Sequence, residues 1–575
     1  MGKSGWLACL VGLAVAFKTS GALQAAPRAY PDLVNDYFDA YFAANPSAGT
    51  YAGFHQYDNQ LEDVSLAGRT RWMAKLHGFL RDFEAIDPAT LSPSERDDRE
   101  LVMANIQAIL LELEKIQMWR HNPDTYPSGA TGSIFTLVKR NFAPPADRLR
   151  SVIAREERIP AALAIGAALI KNPPRIYTEI ALQQLAGNIG FFETTVPEAF
   201  TSIKDPTLLA RFRRSNAKVI AALQKYGQVL KSQLLPRSQG TFAIGPENYR
   251  QKLLYEEMVD IPLDRLLAIG YEQLRKDQQA LIETAKRIDP AKTPRQVQAI
   301  VESDHPSAAQ LLPSAQKQLD GLRQFLIDHQ IITVPGDVQA QVEETPPFLR
   351  ALTFASMDTP GPYETKATEA YYNITLPDPK WPAKKQEEYL RGYNYPLLNN
   401  VSVHEVWPGH YTQFLWLKNT PDLSKVRKLI TAGSNSEGWA HYSEQMMLDE
   451  GLGNGDPKLR FAQLVDALLR DCRYIVGIQM HTKGMSLAQG VEFFVKEGYQ
   501  PRVNAEIEAR RGTADPTYLV YTLGKLEIFK LRDDYKKKLG DQFSLRDFHD
   551  RFVKAGAPPI KLLRRELLGD DSPTL

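Results

Sequence analysis

The chain of 575 residues is short of three things. It has two cysteines, Cys9 and Cys472, too few for a disulfide framework. It has no surplus of one charge: 69 lysines and arginines face 68 acids. The formal net charge of +1 gives no reason to expect a phosphate backbone, so no nucleic-acid partner is expected. Beyond its N-terminal segment it also lacks an apolar run long enough to cross a bilayer. The start itself is different. Lys3, the apolar stretch from Gly5 to Phe17, and the small residues from Ser20 to Ala26 have the layout of a secretory signal peptide, assigned to residues 1–25. Cleavage after either Ala22 or Ala25 fits. A lipid anchor on Cys9 is the weaker alternative, because that residue lies inside the apolar stretch. Removing the segment leaves Cys472 alone, so no internal disulfide can form. The expected location is exported, periplasmic or secreted, with no stable membrane insertion after cleavage.

What is abundant is helical periodicity. From Arg99 to Trp119, Leu101, Ile106, Ile109, Leu110, Leu113 and Ile116 recur at three- and four-residue steps. Ser92 or Ser94 can cap this stretch, and Asn122-Pro123 is expected to stop it. Similar stretches lie near 30–44, 66–86, 146–171, 175–200, 205–234, 262–288 and 307–331, and again from 435 to 555. The segment from Ala370 to Leu376, rich in aromatic and β-branched residues and ended by Pro377, reads as a strand. Segments 236–248 and 334–347 read as turn-rich connectors. Strands and helices do not alternate, which excludes a doubly wound sheet. The expected fold is mainly α, with an N-terminal helical lobe over 26–240 and a lobe holding the chemistry over 241–575.

The informative stretch is His404-Glu405-Val406-Trp407-Pro408-Gly409-His410. In zinc hydrolases a histidine–glutamate pair and a second histidine supply imidazoles for the metal and a carboxylate that takes a proton from water. The usual spacing places the histidines four apart on one helix face. Here they are six apart, about 240° around a regular helix, which by itself argues against joint ligation. Pro408 cannot donate to the carbonyl of His404, and Gly409 tolerates unusual dihedrals. A distortion there could return His410 to the metal side, or simply end the helix with His410 in solvent. Thirty-three residues after His404, Glu437, His441 and Glu444 share one helix face. Glu437 is the candidate third ligand, with His441 as an alternative ligand or a partner that orients the site.

These motifs in combination resemble the bacterial "domain of unknown function 885" family, which is grouped with zinc metallopeptidases similar in fold to thermolysin and angiotensin-converting enzyme. Asn45-Pro46, Trp119, Asn122-Pro123, Asp471, His481 and the tail from Tyr521 to His549 extend the likeness over roughly residues 30–570. The resemblance implies one zinc ion per chain held by His404, His410 and Glu437, with Glu405 as general base. It also implies two helical lobes around a deep cleft, with a small β element near the metal. Two departures stand out. Tyr411 replaces a second histidine common in the family, and Gly512 follows Arg511 where an aromatic is frequent.

The oxyanion formed when water attacks an amide needs a hydrogen-bond donor, and Tyr521 and His481 are the candidates. The strand at Tyr371–Thr375 offers an edge for an extended peptide, with Asn373 and Tyr371 as substrate contacts, or is a minor structural hairpin. Arg473 and Arg511 are candidates for a substrate carboxylate or are ordinary ion-pair partners. The function expected is an exported zinc-dependent peptidase with a peptide substrate. The alternatives are a non-catalytic peptide-binding protein and a zinc hydrolase of other amides or esters.

Overall fold

Local chemistry starts and stops the helices much as the pattern suggests. Ser92 accepts from the Glu95 amide, while the Glu95 carboxylate accepts from the Ser92 amide; with Pro93 at the first position, this opens the helix Pro93–Leu111. That helix does not reach Asn122. It widens into a π-helical turn over Glu112–Ile116 and stops at Gln117, whose φ of 56° belongs to the left-handed region. The expected 146–171 stretch divides into Pro145–Glu156 and Ile159–Leu169, since Pro160 has no amide hydrogen to continue the first helix. The computed structural model describes residues 29–346, 349–350 and 353–575, so the expected signal peptide lies outside the described residues. Among them, no helix is long and apolar enough to cross a membrane.

The chain is mainly helical, as expected, with one small sheet. Tyr126, Ile134, Leu149, Phe191 and Leu223 anchor one apolar core among the N-terminal helices. A second core joins Tyr37, Phe42, Phe83 and Leu101 to Val426, Ile430 and Leu562, so N-terminal helices pack directly on the part of the chain that carries the motif. A third holds Trp407, Tyr411, Trp439 and Tyr442 together with the sheet. Burying each such aromatic stabilises the fold by about 2–3 kcal/mol.

The sheet consists of β1 (Gln341–Glu344), β2 (Ala355–Asp358) and β3 (Tyr371–Ile374). β3 is central. It pairs in parallel with β1 and antiparallel with β2, so that Asn373 stands opposite Glu343 on one side and Ser356 on the other. This corrects two expectations. The 334–347 segment contains a strand, and β3 has no free edge for a substrate because both flanks are already bonded. Tyr371 and Asn373 share the sheet face opposite Tyr372. Tyr371 lies beneath Lys139 and Arg140, with the ammonium 3.6 Å from the ring centre. Tyr372 is fully buried and sits 3.4 Å from Ser402, which packs the sheet against the motif helix.

The site helices are α1 (Leu263–Ile288), α2 (Tyr395–Glu405), α3 (His410–Asn419), α4 (Gly433–Asp449), α5 (Pro457–Thr482), α6 (Arg502–Ala514) and α7 (Val520–Leu539). α2 packs on α4 and α5, α4 on α7, and α5 on α1.

Candidate metal centre

The six-residue spacing is resolved by ending one helix and starting another. α2 stops at Glu405, the Trp407–Pro408 peptide is cis, and α3 begins at His410. Gly409 donates to the carbonyl of Val403 at 3.0 Å. A Cβ at this position would stand 1.7 Å from the carbonyl oxygen of His404, so only glycine fits. Trp439 Nε1 donates to the carbonyl of Pro408 at 2.8 Å and fastens the turn to α4. The break falls before Val406, two residues earlier than the Pro408-Gly409 pair suggests.

As a result the two imidazoles meet. Their rings are 4.9 Å apart and nearly perpendicular. Glu437 Oε2 lies 3.4 Å from His404 Nε2 and 3.3 Å from His410 Nε2. The three candidate ligand atoms fall within 4.8 Å of one another, the one such grouping among the described residues. His441 is not part of it. Its ring is fully buried, with Nδ1 3.1 Å from Glu444 Oε2, so of its two expected roles the direct ligand is not what its position serves.

Glu444 organises the far side. Its Oε1 accepts from His404 Nδ1 at 2.6 Å, which leaves Nε2 facing Glu437. Asn400 Nδ2 donates to Glu444 Oε2 at 3.1 Å and to Asp466 Oδ2 at 2.8 Å, and Arg470 lies 3.4 Å from Glu444 Oε1. Burial alone would raise the Glu444 carboxyl, but Arg470, His441 and His404 hold it well below the usual carboxylate range. Burial likewise works against a charged His404, yet Glu437 and Glu444 raise it to about 9. Glu437 is held low by His410 and His404 against its own burial. The pocket between these groups therefore attracts positive charge.

A divalent metal fits this donor set. Glu437 Oε2 is buried and makes no hydrogen bond, although two ring nitrogens face it; an ion between them would satisfy all three. Two imidazoles and one carboxylate, with thiolates absent from the group, suit zinc and leave a position open. Glu405, next to His404, is buried as a residue, and its carboxylate has no hydrogen-bond or ion-pair partner among the described residues.

Tyr521 joins the site from α7. Helices α4 and α7 approach so closely at Gly438 and Gly524 that a Cβ on Gly524 would stand 1.8 Å from the carbonyl oxygen of Ser434. That contact brings the Tyr521 hydroxyl to Glu437 Oε1, to which it donates at 3.0 Å. Burial and the Glu437 charge push its pKa up to about 12, so it remains a donor at neutral pH. Arg511 donates to the Tyr521 oxygen at 3.1 Å, and Arg473 lies 4.8 Å from the ring centre. His481 is placed elsewhere. Its Nε2 is 2.8 Å from the carbonyl of Gly512, and its ring packs against Phe242 and Tyr249. It is therefore not gathered with His404, His410 and Glu437 or with Tyr521. Gly512 has its own reason: a Cβ there would come 2.2 Å from the Tyr518 hydroxyl, which leaves no room for an aromatic.

A cavity of about 1280 Å³ opens beside these residues. Glu437, Tyr521, Arg511 and Asp515 line one wall, while Trp72 and Tyr126 of the N-terminal helices line the other. The cleft runs between the two groups of helices.

Fold and site together define a mainly helical protein with a His-His-Glu cluster whose Glu437 lines a large cavity. The chain belongs to the family described as "Bacterial protein of unknown function (DUF885)", whose profile matches residues 46–567. It is similar to a solved protein from Shewanella oneidensis described as "a putative lipoprotein of unknown function". Identity is 28%, coverage is 94% of this chain and 100% of that one, and the TM-score is 0.77. A second, "the putative lipoprotein from Colwellia psychrerythraea", has 18% identity, 94% and 98% coverage, and a TM-score of 0.80. A carboxypeptidase from Pyrococcus furiosus, at 14% identity and a TM-score of 0.34, is too unlike to carry any inference. No curated protein matches the chain.

Proposed function

We propose that this protein is an exported zinc metallopeptidase that hydrolyses peptide bonds in the cleft, with Glu405 as general base. The observation carrying this reading is the convergence of His404, His410 and Glu437 on one point, reached only because the chain breaks between Glu405 and His410. His404, His410 and Glu437 would hold the ion. A bound zinc supplies a Lewis acid that makes water a nucleophile near pH 7 and polarises a carbonyl.

The protein's own groups do the rest. Glu405 carries no competing hydrogen bond, so its carboxylate takes the proton of the attacking water and passes it to the leaving amine. The Tyr521 hydroxyl turns from Glu437 to the oxyanion as that charge develops, and Arg511, bonded to the same oxygen, makes it a stronger donor. Glu444, Asn400 and Arg470 keep His404 in one tautomer and orientation. Export is supported by the signal-peptide layout of residues 1–25 and by the description of the Shewanella oneidensis relative.

Elemental analysis after a metal-sparing purification should find one zinc per chain, and a peptide panel should be cleaved. Glu405→Gln should retain the zinc and lose hydrolysis by about a hundredfold or more. Cleavage by that variant at the wild-type rate would remove the base assignment. Absence of zinc and of cleavage would favour a peptide-binding protein instead.

A further inference from the structure

Three arginines surround the Tyr521 ring, and their ion pairs differ. Arg473 is almost fully buried and spends its guanidinium on both oxygens of Glu508, at 2.7 and 2.8 Å. Arg470 is buried between Asp466 and Glu444. Arg511 is the exception. Its side chain is 33% exposed and lines the cavity. Nε and Nη2 reach one oxygen of Asp515, at 3.3 and 3.1 Å, and Nη2 also donates to Tyr521. No hydrogen bond engages Nη1 among the described residues, so one end of a permanent cation faces the cleft.

From this we infer that Arg511 holds the free C-terminal carboxylate of the substrate, so that the protein acts as a carboxypeptidase releasing one residue per cut. The inference rests on the peptidase reading and adds its substrate class. Distance limits what lies beyond the cut. Two hydrogen bonds, of 3.1 and 3.0 Å, connect Arg511 through Tyr521 to Glu437, one of the three converging groups. A carboxylate held on Nη1 therefore keeps the last peptide bonds of the substrate, at roughly 3.5 Å per residue of extended chain, within reach of the Tyr521 hydroxyl, and the bond before the last residue is the nearest of them. In the reaction, water adds its oxygen to the scissile carbonyl and the C–N bond breaks. The nitrogen takes the proton relayed by Glu405, leaving a shortened peptide and a free amino acid. A guanidinium suits this task because it stays charged and offers directional donors to a carboxylate.

The experiment compares matched peptides with a free C-terminus and with a C-terminal amide, using the zinc-loaded full chain and mass spectrometry of products. We expect single C-terminal residues to be released, with kcat/KM at least about tenfold higher for the acid. That preference should fall towards one in Arg511→Gln and be partly kept in Arg511→Lys. A binding readout is independent of turnover: Glu405→Gln should bind the acid at least about tenfold more tightly than the amide, and Glu405→Gln/Arg511→Gln equally. Should the Arg511 variants fail to fold, the acid-to-amide ratios of the wild type and of Glu405→Gln still decide. Internal cleavage, or equal handling of acid and amide, overturns the Arg511 assignment and leaves the peptidase reading standing. Failure to cleave or bind any peptide overturns both.

Discussion

At the scale of single residues, the position of His404 depends on a charge it does not share with the cleft. Glu444 is fully buried and accepts a hydrogen bond from His404 Nδ1 at 2.6 Å, while Asn400 and Arg470 hold Glu444 itself. Glu444→Gln keeps the size but removes the charge that fixes the ring. Zinc should then bind 10- to 100-fold more weakly, as measured by competition with a chromophoric chelator. Unchanged affinity would mean that packing alone orients the ring. This residue also marks the limit of reading by spacing. The Glu437, His441, Glu444 stripe reads as one helix face, and Glu437 as a candidate ligand follows from that face and the motif. The partners that hold Glu444, at 400 and 470, come from two other helices and leave no trace in local spacing. His481 failed for the related reason that periodicity places a residue on a helix without saying what that end of the helix faces. It faces the carbonyl of Gly512.

At the scale of elements, the approach of α4 to α7 sets the distance between Glu437 and Tyr521. Replacing Gly524 by alanine would put a methyl group 1.8 Å from the Ser434 carbonyl oxygen, and the helices must separate. We expect Gly524→Ala to lose about 1–3 kcal/mol of stability and to lower peptide hydrolysis, because the Tyr521 hydroxyl moves off the site. Gly321→Ala is the matched control. It lies inside the helix Ala308–Asp328 with no neighbour within 4 Å of a new Cβ, and should gain about 0.5–1 kcal/mol. Urea midpoints for the two variants should move in opposite directions. Matching gains would mean that helix packing at Gly524 is slack. Most helices could be read from apolar periodicity and capping residues, as at Ser92. The sheet order was not readable, because β3 looks the same in sequence whether its edges are free or bonded, and the four-residue β1 lies within turn-forming residues.

At the scale of the whole molecule, two buried groups far apart in the chain give its stability opposite pH slopes. Glu156 accepts from Asn216 Nδ2 at 3.1 Å and from the Ser215 hydroxyl, but burial outweighs these bonds and pushes it up to about 7. Folded, it binds its proton more tightly than the unfolded chain does. Its contribution is therefore full below about pH 4.5 and is lost as pH rises towards 7. His549 donates from Nδ1 to the Ile331 carbonyl and accepts the Tyr442 hydroxyl on Nε2, both at 2.8 Å, and burial lowers it to about 4. The unfolded chain takes up that proton first, so the stability it contributes is full above about pH 6.5 and is lost as pH falls towards 4. Each group contributes about 3 kcal/mol at most. Glu156→Gln should flatten the decline between pH 4.5 and 7, and His549→Gln should flatten the decline between pH 6.5 and 4, whatever each costs in packing. Urea midpoints at pH 4.5, 6 and 7.5 test both, because the slope reports protons and the offset reports contacts. If either variant kept the wild-type slope across its own window, that residue would have been ruled out as its source.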